Sequence, residues 1–230
     1  AAFLHVPVLM YHYVSAPPSN ADAVRLDLAV TPENFRGQMQ YLKDGGYHTI
    51  TPDMLIAALT RGTALPAKSI MLTFDDGYED AYANVFPVLK QDGFTGAFFI
   101  ITGFIDHNLG GYLTWSQVKA MSAAGMSIQD HSMTHQIMVG RDHAWLKTEV
   151  EDTRDEIQTH TGIRPVVFCY PMGKFDLNTL LEVQAAGFQM AFTTRGSSYL
   201  SSTRMLALPR VRIHGSTTLP KFVALVNWNQ

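Results

Sequence analysis

Ile70-Met71-Leu72-Thr73-Phe74-Asp75-Asp76-Gly77 is an unbroken, mostly apolar run that stops abruptly at two carboxylates and a glycine. A strand covered on both faces reads this way, without the alternation of a half-exposed strand, and that is how strands of a parallel sheet flanked by helices look. Comparable short runs lie at 6–11, 96–101, 126–128, 166–169, 190–193 and 208–213. Between them a local pattern recurs: a helix-like stretch ends at glycine, an apolar residue follows, and a β-rich run begins. It occurs at Gly46-Tyr47, Gly93-Phe94, Gly125-Met126, Gly162-Ile163 and Gly187-Phe188. Glycine just past a helix accepts the left-handed conformation that satisfies its last carbonyls. Helix starts stand at Thr31-Pro32-Glu33 and Thr51-Pro52-Asp53, each with a capping hydroxyl, a proline in the first turn and an acid at the positive end of the dipole. Further helices are expected near 80–91, 116–124, 143–159 and 177–186. Seven strands alternating with helices imply either an α/β barrel or an open doubly wound sheet. No glycine-rich phosphate loop follows any strand, so a (β/α) barrel is the better reading.

The 230 residues are 47% apolar and 16% charged, which suits one domain spanning 1–230. Seventeen basic against twenty acidic side chains leave a net charge of −3, which argues against nucleic acid as a partner. No apolar run approaches the roughly 20 residues that span a bilayer. Cys169 is the single cysteine, so no internal disulfide and no cysteine-rich zinc site can form. The opening Ala1-Ala2-Phe3 has no basic segment followed by an apolar one, so an export signal is expected to be absent from this chain.

Four stretches carry candidate chemistry, all at strand ends, where a barrel gathers its functional loops. Asp75 and Asp76 either cap the helix that follows or supply a metal ligand beside a general base. In His131-Ser132-Met133-Thr134-His135 the spacing of four would put both imidazoles on one face of a helical turn; such a pair grips zinc or simply lies on the surface. Phe168-Cys169-Tyr170-Pro171-Met172-Gly173 is either a sharp corner or a turn that aims the Tyr170 N–H at a developing oxyanion, with Cys169 packed away. In 208–215, period-two alternation puts Arg210, Arg212 and His214 on one strand face, which is either solvated or turned to the site. There Arg210 would orient Asp75 and His214 would donate a proton.

These motifs, with the opening Val6-Pro7-Val8-Leu9-Met10-Tyr11-His12 and the phrase Leu113-Thr114-Trp115, resemble the polysaccharide deacetylases, the NodB-homology family or carbohydrate esterase family four. The resemblance covers about 6–214, and the Phe168–Gly173 turn is similar to that of bacterial envelope and poly-N-acetylglucosamine deacetylases. It implies a distorted, seven-stranded (β/α) barrel with zinc, or else cobalt or nickel, held by Asp76, His131 and His135. It further implies that Asp75 is the general base and that Tyr170 supplies the oxyanion N–H. His214 stands near the family's C-terminal Leu-x-His, although Arg212 replaces the leucine. The family's arginine partner of the base is missing from the third motif, which leaves Arg210 as the substitute. Asp130 takes a place usually held by a small residue and is expected to face solvent, the alternative being that it orients a ligand imidazole. His12, Trp115, Pro171 and Met172 are the expected substrate contacts, and Tyr78, Tyr112 and Tyr170 are further aromatics for stacking on sugar.

The implied reaction is hydrolysis of N-acetyl groups on an N-acetylglucosamine-containing polymer, with release of acetate, in the periplasm, the cell envelope or outside the cell. Two alternatives stand beside it. One is an O-acetyl (xylan-type) esterase or small cyclic amide hydrolase using the same metal site; the other is a carbohydrate-binding domain without turnover. The presence of Asp75 speaks against the latter, since a binding site or structural zinc needs no extra carboxylate.

Overall fold

The computed structural model describes residues 2–227. Seven strands form a parallel barrel: β1 (Val8–Tyr11), β2 (Ser69–Phe74), β3 (Ala97–Ile100), β4 (Ser127–Asp130), β5 (Val167–Cys169), β6 (Met190–Gly196) and β7 (Leu208–Arg212). They follow one another around the ring in chain order. It closes because β1 pairs with β7 on one side, Val211 beside Leu9, and with β2 on the other, Leu9 beside Leu72. The short strand His48–Thr49 lies outside the ring on β2. Each of the seven apolar runs supplies one barrel strand. The two strands flanking the first carboxylates, β1 and β3, are wholly buried, as their lack of alternation requires.

The helix signals also translate into structure. Thr31 and Thr51 cap Pro32–Asp44 and Pro52–Arg61 through their hydroxyls, and Gly46, Gly93, Gly125, Gly162 and Gly187 all have φ between 68° and 89°. The helical stretch read at 143–159 is continuous from His143 to Thr161 but passes through a π-helical segment at Thr148–Asp152. Three short helices lie outside the expected stretches: Ala23–Leu28, capped by Asp22; Thr102–Asp106, with no side-chain cap; and Leu219–Val226, capped by the Thr218 hydroxyl with a proline in its first turn. Phe3–His5 pairs antiparallel with Tyr199–Ser201 beside the barrel.

The barrel interior is packed and not hollow: Val8, Met71, Phe99, Cys169 and Phe192 belong to one buried cluster, while the alternate positions Leu9, Tyr11, Leu72, Phe74, Phe98 and Ile100 pack outward with Phe35, Met39 and Leu42 of the helix Pro32–Asp44. Phe74 stacks on both Tyr11 and Phe98, at centroid distances of 5.3 and 4.8 Å. This packing fixes the C-terminal strand ends, from which Asp75, Asp130, Tyr170 and His12 directly follow or extend.

Candidate active site

The backbone at the end of β2 is tied down first. Asp75 N–H donates to Tyr11 O at 2.9 Å, extending the sheet by one residue. Asp76 then turns left-handed, with φ of 74°, and Gly77 follows at 68°. The reversal sends the two carboxylates in different directions, and neither caps the helical segment that begins at Ala81, whose flanking residue is Asp80.

Asp75 meets Arg210 of β7, 135 residues away in sequence. Arg210 Nη1 donates to Asp75 Oδ1 and Nη2 to Oδ2, both at 2.7 Å, a two-pronged pair with both residues buried. The guanidinium is held by Thr73 Oγ1 at 3.0 Å, Thr193 O at 3.2 Å and Cys169 Sγ at 3.1 Å, and it lies over the rings of Phe99 and Phe192. Burial pushes the Asp75 carboxyl up, but the adjacent guanidinium outweighs it, and the net direction is down. Asp75 is thereby kept ionised.

Asp76 Oδ1 faces Nε2 of His131 at 3.1 Å and of His135 at 3.2 Å, while Tyr78 Oη donates to Oδ2 at 2.9 Å. His131 Nδ1 lies 2.7 Å from the Cys169 carbonyl, which can only accept, so that nitrogen carries a proton. Burial raises the Asp76 carboxyl, yet the two imidazoles pull it well below the usual carboxylate range. In His131 burial favours the neutral ring but is outweighed by Cys169, Asp76 and Asp75, which push its pKa well up. Asp76 Oδ1 is buried and completes no hydrogen bond. An orphaned carboxylate oxygen against two imidazole nitrogens is a set of donors that fits a divalent cation, for which protons on the histidines compete.

The two histidines do not share a helical turn, contrary to the expectation from their spacing. They converge from a loop in which Ser132 and His135 have φ of 69° and 56°. Other residues impose that shape. Glu149 Oε2 accepts from the N–H groups of Met133 and Thr134, and its Oε1 from the Thr134 hydroxyl. Asp130 also differs from expectation: it is wholly buried, neither in solvent nor on an imidazole. It accepts from Ser132 N–H at 2.9 Å and from the Thr153 hydroxyl at 2.7 Å. Among the described residues, four of the six non-glycine residues with positive φ, Asp76, Ser132, His135 and Met172, lie in these site-forming loops, which is where backbone strain tends to concentrate.

The Tyr170 N–H is not free to serve as the expected oxyanion donor. Tyr170 N–H is spent on Phe192 O at 3.1 Å, continuing the β5–β6 ladder, and the Tyr170 hydroxyl donates to Leu206 O. In the following turn Gly173 N–H and Lys174 N–H bond to the Tyr170 and Pro171 carbonyls, and the Met172 N–H takes no part in those bonds. Pro171 is buried, whereas Met172 is exposed.

Of the remaining candidates, His12 stands with Nε2 3.8 Å from Asp75 Oδ2, mostly buried. Burial lowers its pKa, against the pull of Asp75 and Asp76. His214 is instead tied through Nδ1 to Asp27 at 2.8 Å, beside Arg212, which binds the other oxygen of the same carboxylate at 2.7 Å. Trp115 is also turned away from the expected place: its ring stacks on His160 and its indole N–H donates to Asp106, with no such contact to the aspartates or histidines of the mouth. Tyr112 packs against Tyr78, which stacks in turn on Tyr13. Glu149, Thr73 and the Cys169 carbonyl are parts of the site with no signal in local spacing, because each acts across the fold.

A strand-end cluster able to hold a divalent cation, beside a buried carboxylate kept charged by arginine, is the equipment of a hydrolase. Residues 62–191 match the polysaccharide deacetylase family, and the chain belongs to that family. YxkH of Bacillus subtilis strain 168, named as a polysaccharide deacetylase, is 32% identical over 208 residues, covering 90% of this chain and 71% of that protein. The poly-beta-1,6-N-acetyl-D-glucosamine N-deacetylase of Escherichia coli K12 is 24% identical over 236 residues; the match takes in 85% of this chain but 35% of that protein. Among solved structures, Streptococcus pyogenes deacetylase PplD in complex with acetate superposes with a TM-score of 0.91 at 27% identity, over 99% of this chain and 100% of that one.

Proposed function

We propose that this protein is a metal-dependent deacetylase that removes N-acetyl groups from an N-acetylglucosamine-containing polysaccharide of the cell envelope or its surroundings. The reading is carried by one juxtaposition: the ionised Asp75, gripped by Arg210, stands next to Asp76, which faces His131 and His135. A site that only bound sugar or metal would have no use for a second buried carboxylate at this cost of desolvation. The E. coli relative's named substrate supports the choice of an N-acetylated amino-sugar polymer.

Asp76, His131 and His135 would hold the ion, with zinc favoured and cobalt or nickel also suited to two imidazoles and a carboxylate. Such an ion supplies Lewis acidity toward a water and an acetyl carbonyl. Asp75 takes the proton of the attacking water, and Arg210 keeps the carboxylate charged and aimed. The Met172 N–H, free of the bonds that form its turn, is the backbone donor for the developing oxyanion. His12, and not His214, protonates the departing nitrogen: it is the imidazole beside Asp75, and its lowered pKa makes its cation a ready donor. Met172, exposed on the turn that the buried Pro171 shapes, presents the surface against which the sugar lies.

The test is acetate release from N-acetylglucosamine oligomers, β-1,6-linked chains included. Chelator-stripped protein is re-supplied with zinc, cobalt or nickel, with Asp76→Ala as control. Release restored by metal and absent from the control supports the reading. Release from an O-acetylated xylan alone would replace it with an esterase, and no release from either, with metal bound, would replace it with a binding domain.

A further inference from the structure

A second group of ligand-type side chains converges away from the barrel mouth. Glu156 and His160 stand one turn apart on the helix Thr153–Thr161 and so share a face, and Asp106 reaches them from the end of Thr102–Asp106. One donor atom of each lies within 4.8 Å of the other two. The group is braced by neighbours. The Trp115 indole N–H donates to Asp106 Oδ1 at 2.8 Å, and its ring stacks on His160 at a centroid distance of 3.8 Å, the planes 10° apart. Stacking orients the imidazole while leaving its in-plane lone pair free, and the indole bond orients the carboxylate while leaving Oδ2. The wholly buried Thr102 hydroxyl is directed at the Glu156 carboxyl, which also shares a hydrogen bond with Asp106, so the two carboxyl groups and the imidazole are held together. Asp152 adds further negative charge toward Glu156, and Lys119 disfavours the charged form of His160.

We propose that Asp106, Glu156 and His160 form a second divalent-cation site, distinct from the one at Asp76, that takes a zinc-like transition-metal ion and braces the loop carrying His131 and His135. Two carboxylates and an imidazole suit zinc, manganese, cobalt or nickel; calcium and magnesium prefer all-oxygen shells. The bracing role follows from what the ion would join. Thr102 and Gly103, which begin Asp106's helix, donate their N–H groups to the Ser132 and Met133 carbonyls at 3.2 and 3.1 Å. Thr153, at the start of the helix of Glu156 and His160, donates to Asp130, whose other oxygen holds Ser132 N–H. A cation between Asp106 and Glu156 therefore clamps the two elements that flank the histidine loop.

The experiment counts zinc on the whole chain by equilibrium dialysis and elemental analysis, and follows Trp115 fluorescence during nickel titration. Two zinc ions per chain are expected for the parent, one for Asp76→Ala and one for Glu156→Gln. Nickel should quench a fluorescence component that is lost in Trp115→Phe and unresponsive in Glu156→Gln. The fluorescence arm on Asp76→Ala needs no change at the new site, so a misfolded Glu156→Gln would not leave the question open. One zinc on the parent and none on Asp76→Ala would overturn the proposal and leave Asp106 and Glu156 as a carboxyl pair sharing a proton. So would a second zinc that survives Glu156→Gln. None of these readouts depends on deacetylase activity, so this site and the proposed reaction fail separately.

Discussion

At the scale of single residues the site is governed by who neutralises Asp75. With Arg210 replaced by Met, burial is left as the dominant influence on a carboxylate that has lost its partner, and its pKa must rise. The base works ionised, so the acidic limb of the activity profile should move to higher pH in Arg210→Met, and thermal unfolding should show a loss of about 3–5 kcal/mol. An unmoved limb with lower kcat would mean that Arg210 only positions the chain. The two histidine candidates separate just as cleanly. His12→Gln should lower kcat by roughly 10²–10⁴-fold, the usual worth of a general acid. His214→Gln loses a half-exposed bond to Asp27 and should stay near the parent. Reversal of the two results would return the role to His214. Alternation along β7 was enough to mark Arg210 and His214 as polar positions on one face, but not to say how far along the barrel axis each one sits. That distance comes from the pairing of Arg212 with Met10, which local sequence does not encode.

At the scale of elements, the loops after β4 and β5 show where reading from spacing ends. Two histidines four apart suggest a helix, but the geometry is set by Glu149, fifteen and sixteen residues beyond the backbone groups it holds, and by Asp130 beneath Ser132. Nothing within the five residues carries that information. The third-motif turn was legible as a turn from its Pro and Gly, yet the choice of N–H depended on seeing Tyr170 committed to the β5–β6 ladder. The turn itself depends on Gly173. With φ of 68° and an added Cβ 2.2 Å from Thr194 Oγ1 and 2.5 Å from Thr194 N, Gly173→Ala meets both strain and backbone contact. The variant should lose at least about 1 kcal/mol of stability and most of its turnover. Truncating Thr194 to Ala alongside it should not restore activity, since the backbone nitrogen still blocks the Cβ. Recovery in the double variant would show that only the hydroxyl was in the way.

At the scale of the whole molecule, the barrel was readable because closure demands strands buried on both faces, and those leave continuous apolar runs punctuated by glycine-ended helices. What closure puts inside was not readable: Asp130 looks like a surface acid in sequence and is wholly buried. Its burial has a global consequence. Desolvation pushes the carboxyl up to about 8, against its bonds from Thr153 and Ser132 N–H and the pull of His131, with Glu149 adding to the rise. In the unfolded chain the same group ionises near its ordinary value of 3.8. Between these two values the folded state holds a proton that the unfolded state has released, so the contribution of Asp130 to folding stability falls as pH rises from about 4 to 8. In Asp130→Asn that slope disappears. The amide oxygen still accepts from Ser132 N–H, and its NH₂ can donate to the Thr153 oxygen, whose hydroxyl has the Glu149 and Val150 carbonyls, both at 3.1 Å, to turn to. Denaturant unfolding of the metal-free proteins at pH 5 and pH 8 should therefore show the parent losing more stability over this interval than Asp130→Asn. Equal losses would mean that Asp130 is ionised in the fold, with its charge accommodated by the ring of donors around the histidine loop.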